Sequence, residues 1–236
     1  MTVAAVIVCA TAESALADAA GRPAVRRMVE SAWAGGAVPV VVVAPDGGGA
    51  VASALAGSSA VLAEPAPVIG GPVAQIVRGM SVAREQLGDT EAALVWPGRM
   101  AWVGPETVTS LIEAHGPDRR SVLRPRFTDQ LGWPVLVPLE HLPTLRSLPP
   151  EGMPDALLAE LEAGGVPLAI LDLGDPGTTH DVSVALDALP AYEGPPEPTG
   201  GPPPDWGPAA ADMGDETPLA GPSLAPYGQV ADADRE

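Results

Sequence analysis

An uninterrupted run of apolar residues near the start of the chain constrains the fold most. Residues 38–44 read V-P-V-V-V-V-A and are apolar at every position. A strand with one solvated face alternates apolar and polar side chains, so a continuous run indicates a strand that is covered on both faces. Strands of that kind belong to parallel sheets, because the crossover helices pack on both sides of the sheet. The run therefore predicts an α/β protein.

The first 190 residues repeat this alternation of short apolar runs and helical stretches. Strands are predicted at Val3–Cys9, Val38–Ala44, Ala60–Ala63, Ala92–Trp96, Ser121–Arg124, Pro134–Val137 and Pro167–Leu173. Helices are predicted at Pro23–Ala34, Val51–Ala56, Val73–Leu87, Pro105–Ala114, Leu139–Leu148 and Pro154–Ala163. Short links between these segments favour three layers around a mostly parallel, mixed sheet. Ligands of such sheets bind at the carboxyl ends of the strands.

Composition and charge narrow the function classes. The net charge is −18 and every basic side chain is an arginine, so binding to nucleic acid or to an anionic membrane surface is not expected. The single cysteine, Cys9, excludes an internal disulfide and fits a reducing compartment. No apolar run reaches the roughly 18–20 residues of a membrane span, and no basic segment precedes the first apolar run as in a signal peptide. We therefore expect a cytoplasmic location.

The composition changes sharply at about residue 191. Residues 191–236 contain ten prolines, seven glycines, nine acidic residues and one arginine. Few large apolar side chains are present to offset the entropy of ordering such a segment. We therefore expect a folded domain over residues 1–190 and a disordered, acidic tail over 191–236. The large apolar residues of the tail could contact a protein partner, or the tail could serve only to increase solubility; these residues are Trp206, Leu219, Leu224 and Tyr227.

Several segments, in this order, resemble the MobA-like nucleotidyltransferases, which attach GMP or CMP to molybdenum cofactor. They read G-R-P-A-V-R-R-M-V-E-S-A-W-A-G-G-A-V-P-V-V-V-V-A, then G-P-V-A-Q-I-V-R-G-M-S-V-A, A-A-L-V-W-P-G-R-M-A-W-V-G-P-E-T, L-G-W-P-V-L-V-P and D-P-G-T-T-H-D-V-S. The resemblance extends from Val3 to Leu189. It implies a Rossmann-like nucleotidyltransferase fold with a mostly parallel mixed sheet.

The resemblance also implies a reaction and a site. In the family, a glycine-rich loop wraps a triphosphate, an aspartate of a G-D motif holds Mg²⁺, and a phosphorylated acceptor attacks. For this chain, it implies CTP or GTP as donor and an acceptor such as molybdopterin. The family's nucleotide-binding positions correspond to Ala10, Thr11, Gly21, Arg22 and Gln75. Its catalytic positions correspond to Arg99 and Asp181, and Asp181 is also the expected metal ligand.

The segment after the first strand departs from the family pattern. It reads C-A-T-A-E-S-A-L-A-D-A-A-G-R-P, without the early glycine and the arginine of that pattern. Glu13 and Asp18 add negative charge where the phosphates are expected, and they would repel a triphosphate. The alternative interpretation is a short helix over residues 14–20 that covers the edge of the sheet.

The metal loop and the acceptor turn depart from the pattern as well. Arg99 stands where the G-D motif has its aspartate, so attraction for a dication becomes repulsion. Arg99 could contact a phosphate in place of the metal, or extend into solvent at the end of a strand. Trp133 replaces the histidine of a Gly-His-Pro turn and cannot accept a proton.

The remaining candidate residues give weaker patterns. Asp172, Asp175 and His180 lie close to Asp181 in sequence and could form a cation cluster, or could be a solvated turn. His115 and His141 are predicted on helix surfaces, and Cys9 in the core of the first strand.

Three hypotheses follow: an active molybdopterin-type nucleotidyltransferase, a non-catalytic relative that binds a nucleotide-like ligand or a protein, and a transferase for sugar or isoprenoid phosphates.

Overall fold

The computed structural model describes residues 2–150, 152 and 154–195. An eight-stranded sheet forms the centre of this part of the chain. Its strands are β1 (Thr2–Val8), β2 (Val40–Val43), β3 (Val61–Ala63), β4 (Thr90–Pro97), β5 (Val122–Phe127), β6 (Gln130–Leu131), β7 (Val135–Pro138) and β8 (Leu168–Asp172). All seven predicted strands are present, and the two-residue β6 is an addition.

The described residues also form seven α-helices. They are α1 (Ala12–Leu16), α2 (Ala24–Ala34), α3 (Ala50–Leu55), α4 (Gly71–Gln86), α5 (Pro105–His115), α6 (Leu142–Arg146) and α7 (Pro154–Ala163). The predicted helix over 139–148 is shorter than expected, because its first turn is a 3₁₀ turn at Leu139–His141. Pro143 follows this turn, and proline is favoured at the beginning of a helix. None of the described helices is long and apolar enough to cross a membrane.

The order of the strands is β3-β2-β1-β4-β7-β5-β6, and β8 pairs with β5. β1 is central: Ala5 is in register with Val40 of β2 and with Leu94 of β4, both in parallel strands. β7 and β6 run antiparallel to their neighbours, whereas β8 runs parallel to β5. The predicted three-layer α/β fold with a mostly parallel, mixed sheet is therefore confirmed.

Helices cover both faces of the sheet, as the apolar run at residues 38–44 requires. On one face, α2, α3 and α5 pack around Ile7, Val42 and Leu94. On the other face, α4, α6 and α7 pack around Val6 and Val43. Consecutive residues of β1 and β2 thus belong to opposite cores, and every residue of β2 is buried. Alternate side chains of a strand point to opposite faces, so both cores need apolar residues from the same strand.

After β8, the chain returns to the carboxyl edge of the sheet. The Glu193 N–H donates to the carbonyl oxygen of Gly174 at 2.8 Å, so contact with the sheet continues a few residues past 190. Residues 196–236, which make up most of the predicted tail, lie outside the described part of the chain.

Candidate functional site

The loops after β1 and β4 meet at the carboxyl edge of the sheet. The Gly98 N–H donates to the carbonyl oxygen of Val8 at 2.8 Å. A Cβ at position 98 would overlap the sulfur of Cys9, so only glycine permits this approach. The fold therefore brings the expected phosphate loop beside the expected metal loop, as the order of parallel strands predicts.

The loop after β1 closes on itself through a capping box. The Thr11 hydroxyl accepts from the Ser14 N–H at 3.1 Å, and the Thr11 N–H donates to the Ser14 hydroxyl at 3.2 Å. This reciprocal pair begins α1 at Ala12, whereas the sequence suggested a short helix over 14–20. Thr11 thus directs its polar groups into its own helix, and Ala10, just before it, is exposed.

The turn after α1 contains Gly21 and Arg22, two of the residues that were expected to bind the nucleotide. Ala20 and Gly21 both have left-handed backbones, with φ of 56° and 79°. The Gly21 N–H donates to the carboxylate of Asp18 at 3.1 Å. The guanidinium of Arg22 pairs with Glu30 at 2.9 Å. A carboxylate of the chain therefore takes the place that a phosphate oxygen would have at Gly21.

Negative charge accumulates in this loop. A hydrogen bond to its own backbone and a second one to Thr11 hold the pKa of Glu13 below its ordinary value. Glu13 therefore stays ionised at neutral pH, and Asp18 follows it in the segment between β1 and α2. Together they make the loop a poor environment for a triphosphate.

Arg99, in the loop where the family has its metal site, forms an ion pair with Asp181 of the segment after β8. Nε of Arg99 lies 3.0 Å from Oδ2 of Asp181. The other oxygen of Asp181 accepts from the Ser183 N–H at 2.8 Å and from the Ser183 hydroxyl at 2.5 Å. Burial alone would raise the pKa of Asp181, but the hydrogen bonds from Ser183 and Arg99 hold it below the ordinary value.

This arrangement does not fit a divalent cation. Mg²⁺ takes oxygen ligands, and a guanidinium offers only donors and a positive charge. Arg99 holds the carboxylate of Asp181 that was expected to bind the metal. Within the described ranges, no group of three or more potential metal-ligating side chains is found.

Trp102, which the sequence analysis did not single out, fixes the segment that carries Asp181. Its indole N–H donates to the carbonyl oxygens of Asp181 and Val184, both at 3.0 Å. The guanidinium of Arg27 lies 5.2 Å from the centre of the Trp102 ring. The sequence offered one indication of this role. Trp102 lies three residues after Arg99, and a partly buried indole N–H needs a hydrogen-bond acceptor.

The suggested cation cluster around Asp181 does not form. Asp172 pairs with Arg126 at 2.5 Å. Asp175 is buried and accepts from the Gly104 N–H at 3.0 Å, the Thr107 hydroxyl at 2.7 Å and the Gly177 N–H at 2.7 Å. Asp175 is therefore neither a metal ligand nor a solvated turn residue, because it holds the loop before α5 against the segment after β8.

A cavity of about 400 Å³ opens beside these loops, at the carboxyl ends of β1 and β4. Ala10 and Gln75, two of the expected nucleotide-binding residues, are part of its wall. The amide of Gln75 is engaged with the backbone of Ala66: its oxygen accepts from the N–H at 2.8 Å and its nitrogen donates to the carbonyl at 2.9 Å. The structure thus brings Ala10 and Gln75 to one cavity, whereas Arg22, Arg99 and Asp181 do not line it.

Trp133 and Cys9 also line this cavity. The backbone N–H of Trp133 donates to the carbonyl oxygen of Thr178 at 2.8 Å. The guanidinium of Arg124 lies 5.5 Å from the centre of the Trp133 ring. Burial raises the pKa of the Cys9 thiol to about 12, so it is a neutral, weakly nucleophilic group at neutral pH.

One prediction about the histidines is wrong. His115 was placed on a helix surface, but its side chain is fully buried at the end of α5. Neither ring nitrogen has a hydrogen-bond partner among the described residues. His141 does have a polar contact, since its Nε2 lies 2.9 Å from the carbonyl oxygen of Arg120.

Known structures with the same fold include several nucleotidyltransferases. A nucleotidyl transferase from Methanothermobacter thermautotrophicus matches with a TM-score of 0.60 and 19% identity, covering 72% of this chain and 87% of that one. Rv0371c from Mycobacterium tuberculosis H37Rv, solved with manganese, has a TM-score of 0.56 and 17% identity over 73% and 89%. The Thermus thermophilus 2-C-methyl-D-erythritol 4-phosphate cytidylyltransferase has a TM-score of 0.56 and 17% identity over 77% and 93%.

At these identities, the structural matches establish the fold alone. A comparison with curated protein sequences finds no significant match. The model of the MobA-like NTP transferase domain matches residues 12–165, which is more than half of the chain. These residues include α1, the turn at Gly21, α4 with Gln75, and the loop after β4 with Arg99. The chain therefore belongs to the MobA-like NTP transferase domain family.

Proposed function

We propose that this chain is a non-catalytic member of its family, which uses the nucleotidyltransferase fold to bind a nucleotide-like ligand. The ion pair between Arg99 and Asp181 is the observation that carries this proposal. Two unit charges 4 Å apart interact by about 4 kcal/mol at an effective dielectric constant of 20. Exchanging a carboxylate for a guanidinium in the metal loop therefore turns an attraction for Mg²⁺ into a repulsion of similar size.

The phosphate loop supports the same proposal. The Thr11 N–H donates to Ser14, the Gly21 N–H to Asp18, and the Arg22 guanidinium to Glu30. A triphosphate would have to displace these internal partners and approach Glu13 and Asp18. Each exposed contact is weak by itself, so the repulsion between like charges and the loss of the metal weigh more.

The second candidate is nucleotidyl transfer from CTP or GTP to a phosphorylated acceptor, with Mg²⁺ and with molybdopterin as the family's acceptor. Family membership favours it. One structure with the same fold, a CMP-2-keto-3-deoxy-manno-octonic acid synthetase, contains CTP. Its TM-score of 0.55 and identity of 15% support the shared fold alone. The reaction therefore depends on the residues of this chain. We propose a cytoplasmic location for either candidate.

Release of pyrophosphate separates the two candidates. The full chain is incubated with CTP or GTP, Mg²⁺ and molybdopterin, and pyrophosphate is measured over time. We expect no release above a protein-free control. Sustained release would contradict the proposal and establish the transferase.

Binding of Mn²⁺ tests the ion pair directly. The variant Arg99→Asp places a second carboxylate beside Asp181, and we expect it to bind Mn²⁺ detectably by calorimetry or paramagnetic resonance, unlike the natural chain. Arg126→Asp is the matched control, because Arg126 also pairs with an aspartate at the surface, Asp172. Binding of Mn²⁺ by the natural chain at this site would overturn the proposal.

A further inference from the structure

We infer that the cavity at the carboxyl ends of β1 and β4 binds an uncharged, largely apolar small molecule. This inference rests on the loss of catalysis proposed above and goes beyond it, because the ligand of this cavity is not a nucleotide. Among the residues that the structure describes, none of those that line the cavity is charged. The phosphate-loop and metal-loop side chains with charge, including Arg22, Arg99 and Asp181, lie outside its lining.

The walls of the cavity are apolar. Val8 and Val95 come from the ends of two central strands, Ile76 comes from α4, and Trp133 adds a large ring. Pockets for small molecules are mostly apolar, with a few placed polar groups that fix the orientation of the ligand. Here the apolar part is present, so burial of apolar ligand surface supplies the binding free energy.

The backbone of the wall is also poor in donors. Five of the lining residues are prolines, which have no N–H: Pro45, Pro65, Pro72, Pro97 and Pro154. A nucleobase or a phosphate would leave its acceptors without partners at these positions, at a cost typical of buried unpaired polar groups. An uncharged apolar molecule has no such requirement.

Among the described residues of the wall, the side chains of Gln75, Cys9 and Trp133 have polar atoms, and the indole of Trp133 offers one N–H donor on a large apolar ring. The amide of Gln75 holds the backbone of Ala66 through both its oxygen and its nitrogen. The buried Cys9 thiol is neutral and is only a weak donor. Gln75 therefore stabilises the wall, and the ligand contacts a preformed apolar surface.

The size and the rim of the cavity fit a small molecule. Its volume of about 400 Å³ lies in the range of ligand pockets, which is roughly 300–1,000 Å³. At the rim, Val68 is 93% exposed, and the neighbouring Ile69 is 90% exposed but does not line the cavity. A bound apolar molecule would cover part of Val68.

Titration with N-phenyl-1-naphthylamine, a neutral aromatic probe, tests the inference. We expect a saturable rise in fluorescence with one site per chain. Ala10→Trp adds an indole to the wall of the cavity and should weaken binding at least tenfold. Ala52→Trp, which adds the same group at an exposed position of α3, should leave binding unchanged.

A second pair of variants tests the site without filling it. Val68→Asp places a charge on the wall and should weaken binding of the probe several-fold. Ile69→Asp adds the same charge on the same turn, away from the cavity, and should change binding less. Non-saturable fluorescence, or equal effects within both pairs of variants, would overturn the inference.

Parallel titrations with CTP and GTP keep the two proposals separate. Nucleotide binding without probe binding would overturn the apolar-ligand inference and leave the proposed function in place. Release of pyrophosphate would overturn the proposed function, whatever the probe does.

Discussion

Single side chains in this protein have partners that are far away in sequence. Arg99 pairs with Asp181, and Trp102 donates to the backbone of the same segment. His115 is the opposite case, because its ring is buried and neither nitrogen has a partner within the described part of the chain. A buried imidazole without partners is costly to protonate, so its environment favours the neutral form.

The buried ring of His115 predicts a pH-dependent stability. Burial lowers the pKa of His115, Glu91 and Asp118 oppose this effect, and Arg119 adds to it. As the pH falls below about 6.5, the unfolded chain takes up a proton at this histidine before the folded chain does. The contribution of His115 to the free energy of unfolding should therefore be constant above pH 6.5. It should decrease as the pH is lowered from 6.5, by at most about 1.4 kcal/mol per pH unit.

Urea unfolding at several pH values between 5 and 8 measures this dependence. His115→Leu should reduce the slope between pH 5 and 6.5, because it removes the buried ring whose pKa is lowered. An unchanged slope in His115→Leu would show that other groups cause the loss of stability.

At the scale of the elements, the end of β8 is joined to the loop before α5. Asp175 accepts three hydrogen bonds there, from Gly104, Thr107 and Gly177. Gly177 lies against the backbone of Trp102, so closely that a Cβ would overlap it. Backbone atoms cannot move aside as the end of a flexible side chain can, so this contact needs glycine.

Gly177→Ala should therefore destabilise the protein, by about 1–3 kcal/mol if the overlap is relieved as in other overpacked sites. Gly88→Ala is the matched control, because a Cβ at position 88 meets no atom within 4 Å. The midpoints of urea unfolding compare the two variants. Equal stability of both would mean that the segment after β8 shifts without cost.

At the scale of the whole molecule, the part that the structure describes includes Glu193 and its contact with Gly174. We propose that the folded domain needs no residue beyond 195. Deletion of residues 196–236 should leave the thermal midpoint nearly unchanged, whereas deletion of 191–236 removes the Glu193 contact and should lower it slightly. A large decrease with the shorter deletion would contradict the proposed boundary.

The sequence by itself determined the layers and the order of the elements. The apolar run at residues 38–44 predicted a strand with two covered faces, and the structure buries every residue of β2. Periodicity is a local property that survives without knowledge of any contact, so strands and helices could be predicted within a few residues. The departure of Arg99 from the family pattern was also visible in the sequence.

Only the tertiary structure decided how the site residues are used. The pairing of Arg99 with Asp181 joins positions 82 apart, and the hydrogen bond from Thr107 to Asp175 and the burial of His115 likewise depend on contacts between distant segments. The apolar cavity was not predicted either, because its wall combines single residues from β1, β4, α4 and the turn at Trp133. A local sequence pattern does not show which strand ends lie next to each other, because the order of the strands depends on the crossover connections of the sheet.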